Sequence, residues 1–352
     1  MLNQKSKSML NILLIQYKPA GDVLLLTPVV KTLKKSFPDC NITFLVNEKE
    51  SSVIKNYKLI DNFILLKKHS KKGLFNYINY LKYNLSVNLQ IRKTRFDAVI
   101  DFIENPKSAF TAFFSGAGIR IGRKTGLRSL AYNKRIEIHE NNVNTVLRRL
   151  YHLRPLGIEA SYIPPEINLE ERDIKFAEQY FNSIKLNNER PVIFLAPNSP
   201  RSARRWKAEY FAETARALIK THNAKILLAW GPGEEIYTQK ILSTIGFDAG
   251  MIPLTTYMEM AALFYRSVLI ITNDSGPKHI ANAVGVKSIT IYGPTNPHVW
   301  NHIDMKNNPA LRSDVTCIQC EKRECPLKRH ICMENLTPDM VIKTADLLLK
   351  KS

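Results

Sequence analysis

The sequence contains little of what marks several classes of protein. Its 352 residues include only 14 glycines and 18 prolines, which excludes collagen-like and low-complexity chains. Five cysteines in a chain of this length do not make a disulfide scaffold. Nor does the chain contain a G-x-G-x-x-G motif or a P-loop, since the spacing from Gly118 to Thr125 does not fit one.

Long apolar runs are also missing. No run approaches the roughly 18 consecutive apolar residues that span a bilayer. The run that starts at Met9 is interrupted at Asn11 and again at Gln16, which is too soon for the core of a signal peptide. We therefore expect a cytoplasmic protein that does not cross a membrane.

Acidic residues are scarce relative to basic ones. The chain has 51 Lys and Arg against 31 Asp and Glu, a formal net charge of +20. A surplus of this size attracts nucleic acid, anionic membranes or phosphorylated small molecules. With 45% hydrophobic residues the chain can bury a large core, and its length is typical of two domains.

Short apolar runs alternate with helix-like segments along the chain, which predicts an α/β fold with parallel sheets. The predicted strands are residues 11–16, 42–46, 63–66, 98–102, 192–196, 225–230, 268–272 and 288–292. The stretch 159–173 breaks this pattern and is predicted to be a linker. Two doubly wound, Rossmann-like halves would then enclose a cleft at the carboxyl ends of their strands. The predicted parts are residues 1–165, residues 166–336 and a C-terminal helix in 337–352.

The strongest local motif is Asn-Asp-Ser-Gly-Pro-Lys-His at residues 273–279, where a helix begins directly after a strand. Gly276 lets a ligand approach the backbone closely, and the free amides of a helix start can hold a diphosphate. Further donors would come from Ser275, Lys278 and His279. The alternative is that Asp274 or Ser275 only caps the helix.

A second candidate is Asp22, which follows Gly21 just after the first predicted strand. A carboxylate there is placed to act as a general base. The alternative, the commoner case for a lone Asp in a first helical turn, is that it only stabilises the helix dipole. Thr27 and Pro28 predict an N-cap and the first position of the next helix.

Three arginines follow another predicted strand, in the segment that begins at Asn198. Arg201, Arg204 and Arg205 could neutralise a phosphate leaving group, or they could be ordinary surface arginines.

The segment 67–95 contains eight Lys or Arg and no acidic residue, interleaved with aromatic side chains. It suits an anionic membrane surface or a phosphorylated glycolipid, while nucleic acid or a simply solvated helix face remain alternatives. A second basic group comprises Arg120, Arg123, Lys124 and Arg128.

Four cysteines near the C-terminus have the short spacings of a structural zinc site. They are Cys317, Cys320, Cys325 and Cys332, with His330 among them. The alternatives are thiols that stay reduced or form a disulfide.

Taken in order, these segments resemble glycosyltransferase family 9, the bacterial heptosyltransferases that add heptose from ADP-heptose to the lipopolysaccharide core. The resemblance includes NILLIQYKPAGDVLLLTPVVKTLKKSFPDCNITFLV, APNSPRSARRWKAEYFAETARAL, LLAWGPGEE and ITNDSGPKHIANAVGVKSITIYGPTNP, followed by the Cys-rich tail. It implies a GT-B fold in which the N-terminal domain faces the acceptor and the C-terminal domain holds the nucleotide sugar.

By the same resemblance, Asp22 matches the family's catalytic base, and the motif around Gly276 matches its diphosphate motif. Family members often have Lys where this chain has Arg204, with Arg205 and Lys207 as possible substitutes in the phosphate contact. The expected catalytic residues are Asp22 and Arg204. The expected substrate-binding residues are Gly21, Asn198, Arg205, Glu234, Asp274, Ser275, Gly276, Lys278, His279, Arg120, Arg123 and Lys124. Glu234 or Glu235 would contact the adenosine ribose.

The resemblance also implies partners and a location. It predicts ADP-heptose as the donor, the lipopolysaccharide core or Kdo-lipid A as the acceptor, and work at the cytoplasmic face of the inner membrane. No cofactor is expected in catalysis, zinc would be structural only, and no nucleic acid is expected. The other functions considered are a family 9 transferase with another sugar or acceptor, a basic nucleic-acid-binding protein, and a zinc-stabilised interaction protein.

Overall fold

The computed structural model describes residues 9–17, 19–69, 72–138, 142–186, 190–317, 319–327 and 329–350. The chain forms two compact units, residues 1–165 and residues 166–352. The boundary lies in the segment predicted to be a linker. Within that segment residues 159–170 contain no helix or strand, while the last three residues already belong to a helix.

The first unit is built on a six-stranded parallel sheet with the order β3-β2-β1-β4-β5-β6. Its strands are β1 Asn11–Ile15, β2 Asn41–Asn47, β3 Asn62–Leu66, β4 Ala98–Asp101, β5 Ile119–Arg123 and β6 Lys134–Ile136. Its helices are α1 Ala20–Leu24, α2 Thr27–Ser36, α3 Glu48–Ser51, α4 Leu74–Thr94, α5 Pro106–Phe114 and α6 Thr145–Leu150. Two 3-10 helices span Leu127–Ala131 and Tyr151–Leu156.

Both faces of this sheet are covered, which is why its central strands are continuously apolar. Leu13 and Ile15 of β1 pack in one cluster with Val87 and Ile91 of α4. Strands β4, β5 and β6 follow one another outward from β1, so right-handed crossovers place α4, α5 and the first 3-10 helix on one face. The helices that precede β2 and β3 cover the other face by the same rule.

The start of α2 differs from the prediction. Leu26 occupies the N-cap position, and Thr27 is the first helical residue, with its hydroxyl donating to the Leu24 carbonyl at 3.0 Å. The reason is that a short helix, α1, already occupies residues 20–24, so the chain arrives at Thr27 in a helical turn.

The second unit has a six-stranded parallel sheet with the order β12-β11-β10-β7-β8-β9. Its strands are β7 Val192–Ala196, β8 Lys225–Leu228, β9 Ala249–Met251, β10 Leu269–Asn273, β11 Ser288–Tyr292 and β12 Ala310–Arg312. Its helices are α7 Glu171–Ser183, α8 Ala208–His222, α9 Glu235–Ile245, α10 Tyr257–Tyr265, α11 Gly276–Ala283, α12 Pro297–Trp300, α13 Ile331–Glu334 and α14 Pro338–Leu349. A 3-10 helix spans Ser202–Arg204.

The last helix is held by one apolar face. Thr337 occupies its N-cap position, Pro338 opens it, and Val341, Ala345 and Leu348 are buried in the core beside α8, as the sequence predicts. Trp206 anchors the same core, since its indole N–H donates to the carbonyl of Leu336 at 2.7 Å. The tail is therefore packed into the second unit.

Counted from the first strand of each unit, the two sheets have the same strand order, 3-2-1-4-5-6. This is the doubly wound Rossmann order, which places ligand sites at the carboxyl ends of the central strands. The predicted α/β class with two such halves is confirmed. Among the described residues, no helix combines the length and the apolar character that a bilayer crossing requires.

Candidate active site

In the first unit, Asp22 is paired with an arginine that sequence reasoning missed. The carboxylate lies in the first turn of α1, just beyond the carboxyl end of β1. Its Oδ1 accepts a hydrogen bond from Nη2 of Arg149 at 2.6 Å. Arg149 comes from α6, and burial lowers its pKa, an effect that the charge of Asp22 opposes. The carboxylate is thus held from one side.

Asp22 nevertheless keeps access to the outside of the unit. Its side chain is 23% exposed, against 10% for that of Arg149. The Nε of Arg149 has no hydrogen-bond partner among the described residues. A half-buried carboxylate with one fixed cationic partner can accept a proton from a hydroxyl group placed against its open side.

Behind this pair lies a second buried carboxylate, Glu104. It accepts hydrogen bonds from His152 Nε2 at 3.0 Å, from the Arg123 backbone amide at 2.7 Å and from the Arg123 guanidinium. Burial by itself would raise the pKa of Glu104, but His152 and Arg123 outweigh it and lower the pKa. Arg123 is therefore largely neutralised within the unit.

Two further members of the predicted basic group, Arg120 and Lys124, also have partners within the unit. Arg120 donates to the carbonyls of Ala117 and Ala131, at 2.7 Å and 3.0 Å. Lys124 pairs with Glu137 at 2.6 Å, and both side chains are exposed. A direct substrate contact by this group stays a prediction.

In the second unit, the predicted diphosphate motif lies at the carboxyl end of β10 and the start of α11. Ser275 occupies the N-cap position, but its side chain makes no capping hydrogen bond. Its Oγ is buried and has no partner among the described residues. The Asp274 carboxylate accepts from the side chains of Lys278 and Thr295. The alternative that Asp274 or Ser275 only caps the helix is therefore wrong. The first amides of α11 receive no side-chain cap from this residue.

Gly276 opens this helix start to a ligand. A Cβ added there would meet no atom within 4 Å, so nothing in the described protein excludes a larger residue at this position. The residue is exposed, while His279, in the same turn, is half-buried. This arrangement suits a position where a ligand, rather than the protein, occupies the space.

Asp274 is the centre of a buried ionic network. Its Oδ1 accepts from Lys278 Nζ at 2.5 Å, and its Oδ2 accepts from Thr295 Oγ1 at 2.7 Å. Oδ2 also forms an ion pair with Arg204, 2.9 Å from its Nη1. Burial alone would raise the pKa of Asp274, but Lys278 and Arg204 outweigh it and lower the pKa to about 2. The carboxylate is therefore ionised throughout the physiological range.

Lys278 does not reach the surface of the unit. Its side chain is fully buried, and its ammonium also donates to Tyr292 Oη and to the Trp300 carbonyl, each at 2.9 Å. The predicted direct contact of Lys278 with a substrate is therefore not supported by this geometry. Its charge orients Asp274, which in turn holds Arg204.

Arg204 lies beside the start of α11, where it also donates to the Asp274 carbonyl at 3.2 Å. Its Nε has no hydrogen-bond partner among the described residues. Burial and the nearby charges of Arg204 and Arg323 lower the pKa of Arg201. Sequence reasoning missed Arg323, which belongs to the Cys-rich segment. The Arg323 carbonyl accepts a hydrogen bond from the Ala203 amide at 3.1 Å, and this contact holds the segment beside Arg204. Three guanidinium groups thus lie close together.

The remaining predicted residues line the neighbouring strand ends. Arg205 donates to the Ser199 carbonyl at 2.7 Å, and Asn198 donates to Thr238 Oγ1 at 2.9 Å. Glu234 accepts from the Gly231 amide at 2.9 Å, and burial raises the pKa of Glu234 against the opposing charge of Arg205. Glu235 is exposed in the first turn of α9.

The four C-terminal cysteines are free thiols. Burial, with smaller contributions from the other three thiols, raises the pKa of Cys332 to about 11. In the part of the chain that the structure describes, no three His, Cys, Asp or Glu side chains are grouped to hold a metal ion. A structural zinc thus remains a prediction, which metal analysis of the purified protein tests.

The sequence profile of glycosyltransferase family 9 (heptosyltransferase) matches residues 85–331, more than two thirds of the chain. The chain belongs to glycosyltransferase family 9. The matched residues of this family 9 transferase include the Arg204 and Gly276 sites, while Asp22 lies before them.

Individual relatives are similar to this family 9 transferase over nearly its whole length. It is 28% identical to lipooligosaccharide heptosyltransferase 2 of Campylobacter jejuni, over 94% of this chain and 96% of the relative. The glycosyl transferase family 9 structure from Veillonella parvula has a TM-score of 0.80 at 25% identity and covers 97% of both chains. The Escherichia coli ADP-heptose lipopolysaccharide heptosyltransferase II structure has a TM-score of 0.79 at 19% identity, over 97% and 99%. The predicted GT-B fold and the glycosyltransferase class are confirmed.

Proposed function

We propose that this transferase moves a heptose from ADP-heptose to the inner core of lipopolysaccharide. The observation that carries the proposal is the uncapped start of α11 beside Arg204, a site for a diphosphate in a chain of the heptosyltransferase family. The relative from Campylobacter jejuni is named for heptosyl transfer, and the Escherichia coli structure is named for ADP-heptose.

The diphosphate of the donor would lie against the first amides of α11. The positive end of the helix dipole favours a diphosphate there, and Gly276 allows its oxygens to approach the backbone. Ser275 Oγ and His279 add side-chain donors, and Arg204 adds positive charge. Glu234 or Glu235, at the start of α9, would bind the ribose hydroxyls.

In the proposed mechanism Asp22 is the general base of one inverting displacement. It removes the proton from an acceptor hydroxyl while that oxygen forms a bond to the anomeric carbon of the heptose. The bond from this carbon to the phosphate oxygen breaks, and its electron pair leaves with ADP. Asp22 later returns the proton to solvent, so the enzyme ends unchanged. Arg149 is a positioning residue, which keeps one carboxylate oxygen occupied and presents the other to the acceptor.

The negative charge that develops on ADP needs stabilisation as the bond breaks. The amides of α11, His279 and Arg204 would supply it within the protein, with Arg201 and Arg323 close by, so no divalent metal cofactor is required in this mechanism. Lys278 contributes indirectly, because it balances Asp274 and so fixes Arg204.

The acceptor would be the lipopolysaccharide core or Kdo-lipid A, whose phosphates and carboxylates suit a basic protein. The transferase would then work in the cytoplasm, at the inner face of the inner membrane. The groups around Arg120, Arg123 and Lys124 are proposed to contribute to acceptor binding.

The test is ADP release from ADP-heptose in the presence of a truncated lipopolysaccharide acceptor, with UDP-sugars as donor controls. Release should require the acceptor and should fall by on the order of a thousandfold or more in Asp22→Asn, because the general base is lost. The affinity for ADP should stay nearly unchanged in that variant. Asp39→Asn, at an exposed aspartate of the same unit, is the matched control.

Two other results have defined meanings. If Asp22→Asn loses ADP affinity together with turnover, Asp22 is structural and the mechanism is wrong. If a folded protein binds ADP but releases none with these substrates, the family assignment holds while the proposed donor or acceptor fails.

A further inference from the structure

Helix α4 has apolar side chains on two opposite sides. Val87 and Ile91 pack into the core of the first unit. On the outer side, apolar residues recur every three or four positions and are each 40% to 77% exposed: Leu74, Ile78, Leu81, Leu85 and Leu89. A surface helix normally has one apolar side towards the core and a polar side towards water. Packing within the unit therefore does not account for the outer stripe.

The stripe continues onto the neighbouring elements. Phe110 and Phe113 of α5 are 53% and 61% exposed, and Leu127 and Leu130 of the first 3-10 helix are 87% and 66% exposed. Helix α4 packs against α5, and α5 packs against the 3-10 helix, all on one face of the sheet. We call these nine residues together with Phe75, which is 75% exposed, the α4–α5 surface.

The charge around the α4–α5 surface has one sign. Residues 67–95 contain eight Lys or Arg, residues 105–136 contain seven, and neither segment contains an Asp or Glu. The exposed cations of the described part include Lys67, Lys68, Lys72, Lys82 and Arg128. An exposed apolar patch of this extent marks a binding surface, and its cationic surroundings select an anionic partner.

The surface reaches the edge of the sheet where Asp22 lies. Tyr83 Oη accepts from the Lys67 amide at 2.8 Å and donates to the Leu65 carbonyl at 3.3 Å, so the Tyr83 hydroxyl lies at the carboxyl end of β3. Residues 74–82 form the part of α4 that precedes Tyr83, and the chain enters α4 from this end of β3. Asp22 follows β1, whose carboxyl end is at the same edge of this parallel sheet.

We propose that the α4–α5 surface docks onto an anionic phospholipid bilayer. The leucine stripe and Phe75 would enter the headgroup region, and the surrounding lysines would contact lipid phosphates. A second copy of the chain is a poorer partner, because a two-fold contact would bring the same excess of cations together from both copies. The docking itself does not depend on the proposed function. Only one part rests on it, namely that a lipid-anchored acceptor would reach Asp22 at the bilayer surface.

Vesicle sedimentation with the purified full chain tests the docking without any substrate. Vesicles that contain phosphatidylglycerol should bind about tenfold or more tightly than vesicles of phosphatidylcholine alone, and high salt should weaken the binding. Replacement of Lys67, Lys68 and Lys82 by Gln should remove most of this preference. The same replacement at Lys220, Lys306 and Lys343, exposed lysines of the second unit, is the control.

The apolar contribution has its own pair of variants. The triple change Phe75→Ser, Ile78→Ser and Leu81→Ser should weaken vesicle binding on the order of tenfold or more, because three inserted side chains are lost. All three residues are exposed, so the fold should be kept. The control is Ile236→Ser, Leu254→Ser and Leu347→Ser, at residues that are 88%, 54% and 55% exposed in the second unit.

The outcomes separate this inference from the proposed function. The triple variant should retain transfer to a water-soluble core fragment and lose transfer to an acceptor embedded in vesicles. Vesicle binding that is absent, or that the triple change leaves intact, would overturn the docking. So would a dimer in solution, or a complex with nucleic acid, that the triple change dissociates. Vesicle binding without any ADP release would instead reject the proposed function and leave the docking in place.

Discussion

At the scale of single residues, Arg149 shows what a contact adds to a motif. It is 127 positions from Asp22 in the sequence, and nothing about its own neighbours singles it out. The fold brings its guanidinium to 2.6 Å from the candidate base. Because the contact joins two distant elements, no spacing rule applied to either segment could have found it.

Replacement of Arg149 should impair the reaction without impairing donor binding. We expect Arg149→Met to lower kcat by about tenfold to a hundredfold, since the base loses its fixed orientation. The affinity for ADP should stay nearly unchanged, because the candidate diphosphate site belongs to the second unit. Steady-state kinetics and titration with ADP would measure both effects.

Two further variants make the Arg149 test specific. Arg149→Lys, which keeps the charge but not the planar fork, should restore part of kcat. Arg154→Met, at a partly exposed arginine paired with Glu159 in the same unit, is the control. A loss of kcat that is accompanied by a loss of ADP affinity, or that Arg149→Lys does not relieve, would mean that Arg149 is merely structural.

Asp274 makes the stability of the second unit depend on acid. Its pKa is about 2 in the folded protein, below the ordinary value of 3.8. A lowered folded pKa contributes stability that is present above about pH 4 and is lost as the pH falls towards 2. The expected contribution is roughly 2 kcal/mol.

Urea unfolding of the wild type and of Asp274→Asn, followed from neutral pH down to about pH 2, measures this contribution. At neutral pH the variant should be about 3 to 5 kcal/mol less stable, because Lys278 is left buried without its counter-charge. It should also lack the part of the acid dependence that falls below pH 4. The exposed Asp339→Asn is the control, and an unchanged acid dependence in Asp274→Asn would refute the assignment.

At the scale of elements, the start of α11 combines an uncapped helix terminus with a buried hydroxyl that has no partner among the described residues. Some helices have side-chain caps, as Asn105 does for α5 and Thr256 does for α10, while others, such as α14, have none. Here the N-cap serine leaves the helix amides without a side-chain cap and points its hydroxyl into a buried space. The sequence allowed for both arrangements, because serine at this position is the residue that normally caps.

A single methyl group tests the helix start. Gly276→Ala should leave the free energy of unfolding unchanged or raise it by up to about 1 kcal/mol, since the added Cβ meets no protein atom and the unfolded chain loses entropy. The affinity for ADP should nevertheless fall about tenfold or more, because the methyl group would occupy the place of a phosphate oxygen. Calorimetric titration with ADP would measure it.

Gly250→Ala is the matched control for this test. Gly250 lies in β9 of the same unit, where an added Cβ would meet only a leucine side-chain carbon at 3.7 Å. It should change neither stability nor ADP affinity appreciably. Unaltered ADP binding by Gly276→Ala would show that the diphosphate does not lie against this helix start.

At the scale of the whole molecule, the same sheet topology occurs in both units, and the candidate site residues are divided between them. The first unit carries the candidate base and the cationic α4–α5 surface. The second carries the candidate diphosphate site, the buried Asp274 network and the Cys-rich tail. Each set of site residues in turn follows the carboxyl ends of strands, as expected for parallel sheets of this order.

The sequence by itself determined the class of fold, the central strands and the principal candidates. Continuously apolar runs predicted β1 and β7, because a parallel strand buried on both faces favours apolar side chains at successive positions. Edge strands such as β6, β9 and β12 were missed, since they are short and partly exposed and have no such pattern.

Only the tertiary structure decided which charged groups meet. It placed Arg149 on Asp22, buried Lys278 beneath Asp274, and brought Arg323 of the tail to Arg204. It also showed that α4 uses its weaker apolar side for the core and leaves leucines outside. These outcomes depend on which elements become neighbours in the fold. Whether two charged side chains form an ion pair, or whether a helix face is left uncovered, cannot be read from the sequence of one element alone.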